Sequence, residues 1–219
     1  MTFDVAYALS IVPKIASALG ATIIVAFLSC VFASLLGFVL EVTRRSGVAM
    51  SYLMRFTIDF IRSTPLLVQL YFFYFVLPVY GIKLPALLIG VIAISIYYSG
   101  YLAEVFKAGI DGVDKGQFEG AKALGLTRLQ GVLLVIAPQM LRNIAAPMGN
   151  YFIGIFKSTP YLAAIAVHEA FGAALDIASD TFRYTEPMLV VGAIFLGIAL
   201  SLAWIVRRLE AYLAISTRH

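Results

Sequence analysis

"IASALGATIIVAFLSCVFASLLGFVL", residues Ile15–Leu40, contains no charged side chain. About 20 apolar residues rising 1.5 Å each cross the roughly 30 Å hydrocarbon layer of a bilayer, so this stretch reads as a membrane span. The rest of the chain has the same character: of 219 residues 62% are hydrophobic and 13% charged, with a mean hydropathy of +0.95, well above the proportions of a soluble domain. The stretch is too long, and its flank too poor in positive charge, for a cleaved signal peptide. Cys30 is the sole cysteine, which rules out a disulfide framework or a cysteine-rich metal site and leaves a small packed or lipid-facing residue.

Four further stretches meet the requirement, giving spans at about 15–40, 60–82, 84–104, 143–167 and 187–206. The second is uncharged from Ser63 to Ile82, and the fourth is interrupted only by Lys157. Lipid offers no partner for backbone groups, and the alternating pattern of a membrane barrel is absent. The expected fold is therefore an all-α integral membrane protein with about five transmembrane helices. An odd number of spans puts the ends on opposite sides. Arg44, Arg45, Lys107, Lys115, Lys122, Arg128, Arg142, Arg207, Arg208 and Arg218 fall on one side, against Lys14, Lys83 and Arg183 on the other. The excess of positive charge marks the cytoplasm, so the N-terminus is expected outside and the C-terminus inside. This divides the chain into an external segment 1–14, a transmembrane domain 15–210 and a cytoplasmic tail 211–219. The formal charge of +4 is spread along the chain rather than gathered in a stripe, so nucleic acid is not an expected partner.

The longest internal loop, 105–142, has the punctuation of two short helices. Asp114 is placed to cap a helix with Gln117 returning the bond, and Gly125 stands where that helix would end in a left-handed residue. Thr127 and Gln130 form a second capping pair, and Pro138 is expected to end or bend the following run. Gly116, Gly120, Ala121 and Ala123 give the first helix a narrow face.

Glu119-Gly-Ala121, three residues, Gly125, nine residues, then Val135-Ile-Ala-Pro138 resembles the "EAA" signature of permease subunits of ATP-binding-cassette importers. It carries Gly120 for alanine, Val135 for isoleucine and Ala137 for leucine. "FIRSTPLLVQLYFFYFVLP" (Phe60–Pro78), "YLAEVFKAGIDGVDKGQFEGAKALG" (Tyr101–Gly125) and "APQMLRNIAAPMGNYFIGIFKSTP" (Ala137–Pro160) are similar to the polar amino-acid uptake branch, over roughly residues 15–210. Ser63 and Pro160 depart from that branch, where glycine and serine are usual. The resemblance implies a type I importer fold whose loop helix enters a cleft on a cytoplasmic ATPase through Gly116, Phe118, Glu119, Gly120, Ala121, Ala123, Leu124 and Gly125. It also implies a second permease subunit, identical or similar, two ATPase subunits carrying ATP and Mg, an external solute-binding protein, and a bacterial inner membrane. No phosphate-binding Gly-x-x-x-x-Gly-Lys-Ser/Thr occurs, so ATP hydrolysis is expected on the partner and no cofactor in this chain.

Ionisable groups at membrane depth are costly and point to function. Arg62-Ser63-Thr64-Pro65 and Lys157-Ser158-Thr159-Pro160 are matched tetrapeptides, and with Gln69 and Asn150 they form the candidate solute path. Arg62 could instead snorkel to the interface, Lys157 could reach the outer headgroups, and Asn150 could be a packing hydrogen bond. Glu104, a further path candidate, is expected instead at the end of a span, paired with Lys107 or Arg142. His168-Glu169 begins like a zinc motif but lacks the second histidine at the required offset, His219 being the only other one. Glu169–Glu186 reads as an outward loop with a short helix, its Asp176, Asp180 and Arg183 either available to a binding protein or simply solvated. A secondary transporter would want mid-membrane carboxylates, which these spans lack, and no nucleophile–base pair suggests an intramembrane enzyme. Within the importer reading, polar amino acids, opines and ectoine-type osmolytes all remain open as solutes.

Overall fold

A computed structural model describes residues 3–215; the last four residues of the expected tail, including Arg218 and His219, lie outside the described residues. The described chain is helical: α1 Val5–Ser17, α2 Leu19–Arg44, α3 Val48–Ser63, α4 Leu66–Tyr71, α5 Ala86–Asp111, α6 Lys115–Ala123, α7 Arg128–Gly131, α8 Ala137–Ser158, α9 Ala170–Thr181 and α10 Thr185–Ile215. Four continuous helical stretches are long and apolar enough to cross a membrane, and a bent pair supplies a fifth.

The bent pair corrects the expectation of one straight span over 60–82. Val48–Ser63 and Leu66–Tyr80 meet at 97°. Pro65 lacks an N–H and forces its predecessor out of the helical region, and Thr64 accordingly sits at φ −92°, ψ 125°. The Ile61 carbonyl, whose donor Pro65 would have been, is served by Gln69 Nε2 at 2.9 Å, which also donates to Thr64 O at 3.2 Å; the Thr64 hydroxyl adds a second bond at 2.8 Å to Phe60 O, which already accepts from Thr64 N. The matching Lys157-Ser-Thr-Pro160 behaves differently. Thr159 stays helical at φ −60°, ψ −31°, and the chain merely tightens into a 3-10 turn over Thr159–Ile165. Pro138, expected to end or bend its run, does not end it. The run from Leu129 to Ile165 is continuous, widening into a π turn over Val132–Ile136 just before the proline.

The N-terminal segment is helical and docked. Asp4 caps α1 by accepting from Tyr7 N at 3.0 Å, and the buried side chains of Ile11 and Ile15 pack with Ala170, Ala174, Ile177 and Val191 of α9 and α10. Arg183 closes this corner, donating to Glu186 at 2.6 Å and lying 4.2 Å over the Tyr7 ring. The segment 169–186 is therefore partly spent on packing. Glu169 is fully buried, capping α9 at Gly172 N (2.8 Å) and accepting from Thr22 of α2 at 3.2 Å. Its burial pushes the carboxyl above the usual range, and those hydrogen bonds pull it back.

The main core lies where α2, α4, α5 and α8 meet. Ser29, Ala33 and Gly37 recur every fourth residue along the buried face of α2, and small residues of this kind let membrane helices approach closely. A Cβ at Gly37 would stand 2.9 Å from Ser99 O and 3.1 Å from Ala103 N, both rigid backbone of α5. Gly37→Leu is expected to cost at least about 1–3 kcal/mol, read as a lower unfolding temperature in detergent. Gly20→Leu, with nothing within 4 Å of its Cβ, is the control expected to melt like the parent.

Candidate coupling loop and solute path

The loop forms from local hydrogen bonds, two of three as the sequence suggests. Asp114 accepts from Gly116 N at 2.7 Å, two residues on rather than three. That geometry leaves Gln117 free, and instead of returning the bond it accepts from Gln139 Nε2 at 3.0 Å, tying α6 to the start of α8. Gly125 is left-handed at φ 71°, with Leu126 N donating to Ala121 O and Gly125 N to Lys122 O; this pair of bonds satisfies the open carbonyls at the helix end. Thr127 and Gln130 are fully reciprocal: Thr127 N donates to Gln130 Oε1 at 2.9 Å and Gln130 N to Thr127 Oγ1 at 3.3 Å.

The two faces of α6 have different surroundings, which divides the residues grouped by the sequence. Gly116, Glu119, Gly120, Ala123, Leu124 and Gly125 are exposed, and Cβ atoms at Gly120 and Gly125 would meet nothing within 4 Å. Ala121 is 7% exposed and packs toward Gly131, while Phe118 lines a cleft between the loop and the bundle. Ala121 therefore seats the helix, because α6 must bury one side to hold its position.

Directly behind the loop is an ion network that the sequence reading misses. Arg44 donates to Glu41 (2.6 Å) and Glu104 (2.5 Å), and Arg45 to Glu41 (2.5 Å) and Asp111 (2.7 Å). Glu104 thus pairs with Arg44 and not with Lys107 or Arg142. Glu41 is 1% exposed and Arg44 7%, so this is a buried cluster clamping the end of α2 to the end of α5, with three residues between Asp111 and the start of α6 at Lys115. The i, i+3 and i, i+4 spacing of Glu41 to the two arginines was the available signal.

The path candidates are partly brought together. Arg62 lies 5.2 Å over the Tyr101 ring, and the Tyr101 hydroxyl donates to Arg62 O at 3.3 Å. Tyr97 and Tyr101 hydroxyls are 3.2 Å apart, and Tyr98 pairs with Ser158 at 2.9 Å; with Tyr151 these form a tyrosine cluster between α5 and α8 that the sequence reading does not single out. Gly154 admits Tyr98, whose hydroxyl lies 3.1 Å from where a Cβ would stand. Gln69 and Thr159 are buried, their donors engaged by Ile61 O and Thr64 O and by Phe156 O respectively. Ser63, Asn150 and Lys157 are exposed on this chain, while Thr64 is half-buried. Among the described residues no group of His, Cys, Asp and Glu that could hold a metal comes together; His168 instead pairs with Asp176 at 2.8 Å.

Apolar spans bundled around tyrosines and two basic side chains without ion-pair partners among the described residues, with a glycine-bounded helix held out from one end, fit a membrane transport subunit. The chain belongs to the family of binding-protein-dependent transport system inner membrane components, which matches residues 31–214. It is 38% identical over 211 residues to the probable amino-acid ABC transporter permease protein y4tG of Sinorhizobium fredii, covering 96% of this chain and 91% of that one. It is 33% identical over 198 residues to the probable amino-acid permease protein YxeN of Bacillus subtilis, covering 89% and 88%. The crystal structure of an amino acid ABC transporter with histidines superposes at a TM-score of 0.88 with 33% identity, over 97% of this chain and all of that one. The inward-facing MetNI methionine ABC transporter, at 15% identity and a TM-score of 0.77, shares the fold. The chain is a multi-pass inner-membrane permease subunit of a binding-protein-dependent importer.

Proposed function

We propose that this permease carries a polar amino acid: relatives matched over nearly the whole chain are named amino-acid permeases, and the structure that superposes on it is of an amino acid transporter with histidines. It pairs with a second, identical or similar permease and works with two cytoplasmic ATPase subunits, which hold ATP and Mg, and an external binding protein. The excess of basic residues on one side orients it with the N-terminus outside and α6 in the cytoplasm. There the exposed face Gly116, Glu119, Gly120, Ala123, Leu124 and Gly125 enters the ATPase, while Ala121 holds the helix to the bundle and the partly exposed Phe118 lines the cleft beside it. Arg62, Lys157 and the tyrosines line the route, and the hydroxyls of Ser63 and Thr64 and the amide of Asn150 give it a polar surface. Ser158, Thr159 and Gln69 shape it from behind through their hydrogen bonds.

The test is uptake of a panel of labelled amino acids into vesicles holding permease, ATPase and binding protein. Uptake is expected to require ATP on the ATPase side. Lys157→Met is expected to lower kcat/KM for the preferred solute at least about tenfold, with assembly intact, since a base without a partner at membrane depth is kept for a ligand. Uptake without ATP, no uptake of any amino acid, or unchanged Lys157→Met kinetics would each count against this assignment.

A further inference from the structure

Between α2, the end of α5, α6 and the start of α8 lies a cavity of about 1610 Å³. Its wall is apolar, supplied by Leu35 and Phe38 of α2, Phe106 of α5, Leu133 and Ile136 of the π turn, and Met140 of α8. Its rim is cationic. Lys115 and Lys122, seven residues apart and hence on one side of α6, both border it, and neither has an ion-pair partner among the described residues. Arg45 joins them, held in place by Glu41 and by Asp111, the one acid on the rim. An apolar trough with free cations at one end fits neither water nor a soluble metabolite. It fits a molecule with an anionic head and hydrocarbon tails, and basic pockets between helices at the cytoplasmic level are where anionic lipid headgroups bind.

We propose that this groove holds an anionic phospholipid of the cytoplasmic leaflet, its acyl chains along the Leu35–Phe38–Met140 wall and its phosphate between Lys115 and Lys122. The site rests on the orientation proposed above, which places α6 in the cytoplasm. Phe118 lines the same groove, so the lipid backs the inner face of α6 while its outer face remains free for the ATPase. The lipid then acts as a wedge setting how firmly the coupling helix stands on the bundle.

The experiment uses the full chain in bilayers of mixed phosphatidylglycerol and phosphatidylcholine, with a trace of either lipid carrying a photoactivatable group in its acyl chain. Labelling is read in the tryptic peptide Leu129–Arg142, which contains Leu133, Ile136 and Met140. The phosphatidylglycerol probe is expected to label it on the order of tenfold more than the phosphatidylcholine probe, the preference two surface lysines confer. Lys115→Glu with Lys122→Glu is expected to bring that ratio to about one, and millimolar soluble glycerol phosphate to leave parent labelling unchanged. Equal labelling of the parent by the two probes, or a ratio untouched by charge reversal, would overturn the site. So would displacement by glycerol phosphate, which would indicate a free anion, or cross-linking of a second copy of the chain in its place. Orientation is checked separately by Lys122→Cys in a Cys30→Ala background, expected to react with an impermeant maleimide from the cytoplasmic side alone. Reaction from outside would defeat the orientation, while the probe ratio, with both lipids in both leaflets, would still report on the groove.

Discussion

Gly125→Val is expected to abolish solute-stimulated ATP hydrolysis while membrane insertion and permease pairing persist. Gly125 closes α6 at φ 71°, a region a β-branched residue enters only with strain of about 1–3 kcal/mol. Relieving that strain means undoing the bonds from Gly125 N to Lys122 O and Leu126 N to Ala121 O, so the last turn of α6 frays where the ATPase would grip it. Space is not the obstacle within this chain, since a Cβ at Gly125 meets nothing within 4 Å. Two comparisons separate the causes. Gly125→Asn, which tolerates the left-handed region, is expected to keep most of the coupling if conformation is what matters, and to fail like valine if the partner presses against this position. Glu119→Lys is expected to show a milder loss, because it puts positive charge toward the positive end of the helix and reverses any ionic contact across the interface. The readouts are co-purification of the ATPase with tagged permease and ATP turnover in vesicles with and without solute-loaded binding protein. A Gly125→Val complex that assembles and couples like the parent would reduce the loop to a solvated connection.

Arg44→Leu is expected to destabilise the folded chain on the order of 3–5 kcal/mol, the usual consequence of leaving a buried charge without its partner. Arg44 serves Glu41 and Glu104 at once, and Glu41 has almost no access to solvent. Arg45 would still hold one oxygen of Glu41, but the clamp between α2 and α5 would open on the Glu104 side. Arg44→Lys should fall between, since one ammonium cannot reproduce the two-pronged geometry of the guanidinium. Adding Glu41→Leu to Arg44→Leu should recover part of the loss by removing a buried carboxylate that Arg45 alone pairs on one oxygen only. Melting in detergent, followed by size-exclusion profile, measures all three; an Arg44→Leu chain as heat-resistant as the parent would show that the network contributes little. Because α5 leads directly into α6, the same variants should also weaken coupling in whatever protein survives.

What was legible in the sequence was what depends on neighbours along the chain. The left-handed stop at Gly125 and the Thr127–Gln130 pair are closed by bonds over a few residues, so their residue types announce them. The Pro65 break was half legible: the missing donor was certain, but that Gln69 would supply the replacement, and that Pro160 in a matching tetrapeptide would produce only a tighter turn, depended on the conformation of the preceding threonine. Gln69, read as a solute contact, has its amide donors engaged by backbone, while its Oε1 has no partner among the described residues.

The sequence alone therefore determined that the chain lives in a membrane as helices, because the cost of exposing apolar side chains to water, or backbone groups to lipid, is additive along any single stretch. It also determined the left-handed stop at Gly125 and the Thr127–Gln130 cap. Tertiary structure decided which charges meet, that α1 docks on α9 and α10, that Ala121 is buried against the bundle while Glu119 and Gly120 face away, and that tyrosines from two helices gather around Tyr101, which in turn meets Arg62. Those outcomes join residues separated by tens of positions, and their energies exist only once helix packing has fixed which faces touch.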